Sequence, residues 1–75
     1  MTKLIDGKIN KLYSIFGISQ NAPHKIKRRI LELGFTRGQK IKIIRKSLLG
    51  KAYLIELRGF ILTIRKDIAN FIEIE

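Results

Sequence analysis

Two hydrophobic periods run along this chain, and they meet at one corner. Ile26, Ile30 and Leu33 recur at i, i+4 and i+7, the spacing of one helix face, while Lys25, Arg28, Arg29 and Glu32 take the other side. From Gly38 the period falls to two. Ile41 and Ile43 share a face and Lys40 and Lys42 the opposite one, and alternation resumes in Tyr53–Arg58 and Phe60–Arg65. The change of period lies in Arg28–Gly38, RRILELGFTRG, which therefore reads as a helix-to-strand corner. Gly34 ends the amphipathic turn, because glycine adopts positive φ without a Cβ penalty and the apolar Phe35 can fold back onto the last turn.

The remaining elements follow in order. Met1–Gly7 is a lead-in with a turn at Gly7. Lys8–Ile18 is rich in β-branched and aromatic residues and predicts a strand, with Leu12, Ser14 and Phe16 on one face and Tyr13 and Ile15 on the other. Gly17 marks its end or a bulge. Pro23 falls in the first turn of the helix, where its missing N–H costs nothing, so the helix is expected over about residues 23–33. Ile30, Leu31, Leu33 and the isoleucines are expected in the core. Ser47–Lys51 is a connection, and Arg58-Gly59-Phe60 signals a tight hairpin. Lys66–Asn70 breaks the alternation as one helical turn, and Phe71–Glu75 is a last strand with Ile72 and Ile74 inward. The expected fold class is mainly β: a small five-stranded barrel with one short α-helix and a helical turn before the last strand. Gly34, Gly38 and Gly59 are its structural turns. Closing the sheet would remove its exposed edges.

Charge changes the picture more than composition does. A chain of 75 residues with 45% apolar content supports one domain with a small core. The net charge of +10 is unevenly spread: residues 1–22 carry +2, residues 23–51 carry +9 and residues 52–75 carry −1. The positive charge thus belongs to the helix and the strand after it, which suits an acidic partner or simply a solvated face. There is no cysteine, so no disulfide and no thiolate metal site can form. No apolar run approaches the ~20 residues of a membrane helix and no signal-peptide pattern opens the chain, so a cytoplasmic protein without membrane insertion is expected.

Candidate chemistry is sparse. His24 is the sole histidine, which leaves neither a His-based zinc site nor a catalytic triad within one chain. Glu73 and Glu75 point the same way on one strand and would hold a hard cation only weakly. Glu32, set among Arg28 and Arg29, is expected to form an ion pair. Gly50-Lys51 fails as a phosphate loop, since Arg45 stands at the earlier glycine position and Ala52 follows the lysine. Arg58-Gly59-Phe60 opens like an RNA-recognition signature, but Ile61, Leu62 and Ile64 lack its stacking aromatics. No enzyme and no cofactor are expected.

From Arg28 onward the chain resembles the FeoA family, small proteins associated with bacterial ferrous iron uptake. The resemblance rests on Arg29-Ile30-Leu31-Glu32-Leu33-Gly34-Phe35, Gly38, Ile41–Arg45 and Leu49-Gly50. It continues through Arg58-Gly59, Ile64-Arg65-Lys66, Ala69 and Ile72-Glu73-Ile74. Lys51 and Ala52 depart from it, where the family usually shows an acidic or polar residue and proline. The resemblance implies an SH3-like barrel that acts as a cytoplasmic accessory to the FeoB ferrous iron transporter, peripheral at the inner membrane through that partner. Similar domains are appended to metal-dependent repressors of the diphtheria toxin repressor type, but a free-standing protein is expected here. Arg28, Arg29, Arg37, Lys40 and Lys42 are the expected partner-binding residues. The alternative is a nucleic-acid or ribosome-associated basic barrel, favoured by a pI of about 10.4. Attraction to an anionic membrane would only supplement docking.

Overall fold

The corner at Gly34 is built as its residues dictate. In the computed structural model, which describes Thr2–Glu75, helix α1 spans His24–Glu32 with Pro23 at its N-cap. Met1, the first residue of the lead-in, lies outside the described residues. At the far end the Gly34 N–H donates to the Leu31 carbonyl at 3.0 Å and the Phe35 N–H to the Ile30 carbonyl at 3.3 Å. With Gly34 at φ 90°, these two bonds make a Schellman motif. Phe35 then folds under the helix and is buried. Within α1, Ile30 is fully buried and Ile26 and Leu33 are half-buried against the core. Leu31 is not in the core as expected: it is 53% exposed, because it lies on the flank of the i, i+4, i+7 stripe.

Six antiparallel strands form one sheet among the described residues, in the order β1-β6-β2-β3-β4-β5. They are β1 (Thr2–Lys3), β2 (Leu12–Ile18), β3 (Lys40–Lys46), β4 (Ala52–Leu57), β5 (Phe60–Arg65) and β6 (Ile72–Ile74). The strand beyond the expected five is β1, whose Thr2 and Lys3 pair with Ile74 and Glu73. Both its residues are exposed, so no hydrophobic pattern announces it; the free edge of β6 recruits it.

The imperfect alternation of Lys8–Ile18 has a structural cause. Leu12–Ser14 of β2 pair with β3, whereas Ile15–Ile18 pair with β6, and the register shifts between Ile15 and Gly17. The bulge expected near Gly17 is there. A second shift, between Ile43 and Arg45, bends β3. The two bulges curl the sheet around a core of isoleucines that includes Ile41, Ile43, Ile55, Ile64, Ile72 and Ile74.

The roll does not close by hydrogen bonds. Among the described residues β5 and β1 remain unpaired with each other, so two edges persist where closure was expected. The 3-10 turn Leu4–Asp6 and the short helix α2 (Lys66–Ala69) pack across this seam, burying Leu4, Ile68 and Ala69. The turn expected at Gly7 is there, its N–H donating to the Leu4 carbonyl at 3.0 Å, but glycine is required for packing rather than for a dihedral. Its φ is −70°, but a Cβ there would lie 2.9 Å from Ile43 Cδ1 and 3.2 Å from both Ile74 Cδ1 and Tyr13 Cε2.

Candidate interaction surface

The five cations expected to meet a partner do not form one cluster. Arg28 and Arg29 lie on the exposed side of α1. With Lys25 and Ile26 they line a groove of about 470 Å³ whose other wall is Thr63–Arg65 of β5 and Asp67 and Ile68 of α2. Lys40 and Lys42 instead project from the outer face of β3. They line a groove of about 330 Å³ with Leu12, Gln39, Glu56, Arg58 and Gly59. No residue lines both. Arg37 belongs to neither groove, and its guanidinium carbon stands 4.6 Å from the centroid of the Phe16 ring, a cation–π arrangement.

The outer groove has a defined composition. Leu12, Lys42, Glu56 and Ile61 form a cross-strand row over β2, β3, β4 and β5. Lys42 is therefore directly opposite Glu56, and such an opposite-charge neighbour adds a little to sheet stability. Leu12 and Ile61, at the two ends of the row, are 59% and 62% exposed. Next to it the Lys40 ammonium donates to the Ser14 hydroxyl at 2.8 Å. Neither Leu12 nor Ile61 was among the expected site residues. The signal was in the strand parity: Ile15 and Ile64 face the core, so Leu12 and Ile61, an odd number of residues away, face out.

Arg58 connects this groove to the helix end. It occupies a left-handed conformation at φ 55°, followed by Gly59 at φ 81°, and Leu57 and Phe60 pair directly across the turn. Two positive φ values in a two-residue loop make a type I′ hairpin, so Arg58-Gly59 is the tight turn expected. The Arg58 guanidinium lies over Gly34, against the position that a Cβ there would fill. This places a cation beside the carboxyl end of α1, where the helix dipole is negative. Gly34 is thus fixed twice, by its dihedral and by its neighbour. Gly38 and Gly59 need only their dihedrals, since a Cβ at either would meet open space.

The acids and the histidine occupy modest positions. His24 is exposed in the first turn of α1, and it lines a shallow depression with Lys27, Arg28, Leu31 and Glu32. The ion pair expected of Glu32 is not formed. Among the described residues the pair within range is Arg65–Asp67 at 3.6 Å, exposed on both sides and so of small energetic weight. The Glu73 carboxylate accepts from the Ser19 hydroxyl at 3.3 Å, while Glu75 is exposed. No group of three or more His, Cys, Asp or Glu side chains gathers among the described residues, and no buried side-chain polar atom there lacks a partner. No helix there is long and apolar enough to cross a membrane.

Known structures share this architecture. A FeoA-like protein from Clostridium acetobutylicum is 33% identical, superposes with a TM-score of 0.85, and is matched over 100% of this chain and 88% of its own. The FeoA protein of Chlorobium tepidum is 28% identical, with a TM-score of 0.82 and coverage of 99% and 69%. The Stenotrophomonas maltophilia FeoA, described as a prokaryotic SH3 domain protein, is 19% identical, with a TM-score of 0.82 over 100% of this chain and 91% of its own. The SH3-like fold expected from the sequence is thus the one observed. No curated protein matches the chain. The family model described as the FeoA domain matches residues 2–75, so essentially the whole chain carries the pattern, and the chain belongs to the FeoA family.

Proposed function

We propose that this protein is a non-enzymatic accessory of bacterial ferrous iron uptake, working in the cytoplasm by binding the cytoplasmic part of a FeoB-type transporter. The family match over residues 2–75 carries this reading. The Stenotrophomonas maltophilia relative is described as a candidate activating factor for bacterial ferrous iron transport. The surface supports a binding role: two grooves edged by cations, each with apolar residues within reach, suit an acidic partner with exposed side chains. Arg28 and Arg29 would serve at one groove and Lys40 and Lys42 at the other, with Arg37 stacked on Phe16 at the corner between helix and strand.

The test is a titration of the transporter's soluble cytoplasmic domain into isotope-labelled protein. Shifts centred on the amides of Arg28–Arg29 or Lys40–Lys42 are expected. Absence of any shift at saturating concentration would overturn the reading. Binding to RNA with a steep salt dependence would favour the basic-barrel alternative instead.

A further inference from the structure

Leu48 and Leu49 project from the connection between β3 and β4, 100% and 76% exposed. The turn does not need them. Its Gly50, at φ 69°, donates from its N–H to the Ser47 carbonyl at 2.9 Å. The Ser47 hydroxyl accepts from the N–H groups of Lys51 at 3.0 Å and Ala52 at 3.1 Å. Serine and glycine therefore build the loop, and two polar residues could occupy the positions between them. Instead two leucines are held out in water at its tip, where they gain nothing from the core.

The loop and the strand leading into it carry charge of one sign. Between Glu32 and Glu56 the chain has no acid and six Lys or Arg residues. Arg45 and Lys51 flank the tip and are exposed, and the Lys66 N–H donates to the Lys51 carbonyl at 2.9 Å, bringing a further cation to its base. Lys46 turns away, its ammonium donating to the Ile5 carbonyl at 3.3 Å. Two acids lie toward this end, Asp67, which lines a depression with Lys51, Arg65 and Lys66, and Asp6 in the 3-10 turn, and the cations outnumber them.

We propose that the Leu48–Leu49 tip inserts into the interfacial layer of an anionic lipid bilayer, with Arg45 and Lys51 at the level of the headgroup phosphates. The size of the apolar patch selects lipid over protein. A stable protein interface buries roughly 800 Å² per partner, far more than two leucines enclosed by cations can offer. A fluid bilayer closes around a small convex knob of any outline. Apolar side chains at the acyl boundary and cations near phosphate are the two components of interfacial binding. A spanning segment is not required, because the tip needs only interfacial depth. Attachment by one tip is weak and reversible, which suits a protein that must also engage a membrane-embedded partner.

The test uses the whole protein and phosphatidylcholine vesicles with and without phosphatidylglycerol, and no transporter, so it stands apart from the docking titration. Co-sedimentation is expected with the anionic vesicles alone. It should weaken by at least about tenfold in the Leu48→Ser/Leu49→Ser double variant, whose melting should be unchanged because both side chains are outside the core. The natural chain has no cysteine. A Leu48→Cys variant carrying an environment-sensitive fluorophore should therefore shift to the blue on anionic vesicles. Equal binding by the wild type and the double variant would overturn the proposal, leaving charge alone as the attraction. So would absence of both sedimentation and blue shift.

Discussion

The two hairpins that share β4 end in opposite ways. Arg58-Gly59 closes β4 onto β5 with two residues at φ 55° and 81°, so the loop itself is accounted for by its dihedrals, and the exposed Phe60 lies in the strand beyond it. Ser47–Lys51 closes β3 onto β4 with a longer loop in which Ser47 and Gly50 make the turn and Leu48 and Leu49 are surplus to it. One end is determined by dihedral angles, and the other carries side chains that the fold does not use. A turn explained by its backbone needs no partner to account for its loop residues, even where it edges a groove as Arg58 and Gly59 do, whereas unexplained apolar residues mark a place to look for one.

Substitutions can break this contrast. The largest effect is expected at the related corner, Gly34, where the positive φ and the overlying Arg58 act together. Gly34→Val should destabilise by about 2 kcal/mol, read as a lower urea midpoint; wild-type stability would mean that the corner is not built as described. Gly59→Val should cost somewhat less, about 1–2 kcal/mol, because a Cβ there meets open space and the dihedral alone resists it. Arg58→Asn should change stability in the other direction by about 0.5 kcal/mol, since asparagine before glycine is the favoured pair in a type I′ turn. A loss on that substitution would show that the guanidinium over the end of α1 outweighs turn preference. The smallest effect belongs to the other hairpin: Leu48→Ser with Leu49→Ser should alter stability by under about 0.5 kcal/mol in thermal melts. A larger loss there would erase the contrast.

The two hairpins also show what a sequence displays and what it conceals. Turn chemistry is local, so Gly34 and Arg58-Gly59 were legible from a few neighbouring residues. The helix over about residues 23–33 was legible from its period between Pro23 and Gly34, and the inward Ile72 and Ile74 from period alone. What depends on distant partners was not. The turn at Gly7 was legible, but that its small size is demanded by Ile43 and Ile74, far along the chain, was not. Strand β1 has only Thr2 and Lys3 and hence no period to detect. Leu31 is next to Ile30 in the helix, yet a step of one residue turns it away from the core. For the candidate site, Arg28, Arg29, Lys40 and Lys42 were identified as partner-binding cations, of which Lys42 is half-buried. Their division between two grooves could not be seen, because closeness along the chain does not give closeness in space. Leu48 and Leu49 were visible as an apolar pair inside a connection, but only the hydrogen bonds of Ser47 and Gly50 show that the turn could do without them.

The sheet order places β6 between β1 and β2, so a segment near one end of the described chain holds a segment near the other in place. During synthesis, β1 and the Ile15–Ile18 half of β2 cannot pair with β6 until Ile72–Ile74 has left the ribosome. The β3-β4-β5 hairpins can form before that, but the sheet is completed only when β6 joins, and pairings that span nearly the whole domain favour slow formation of that last part.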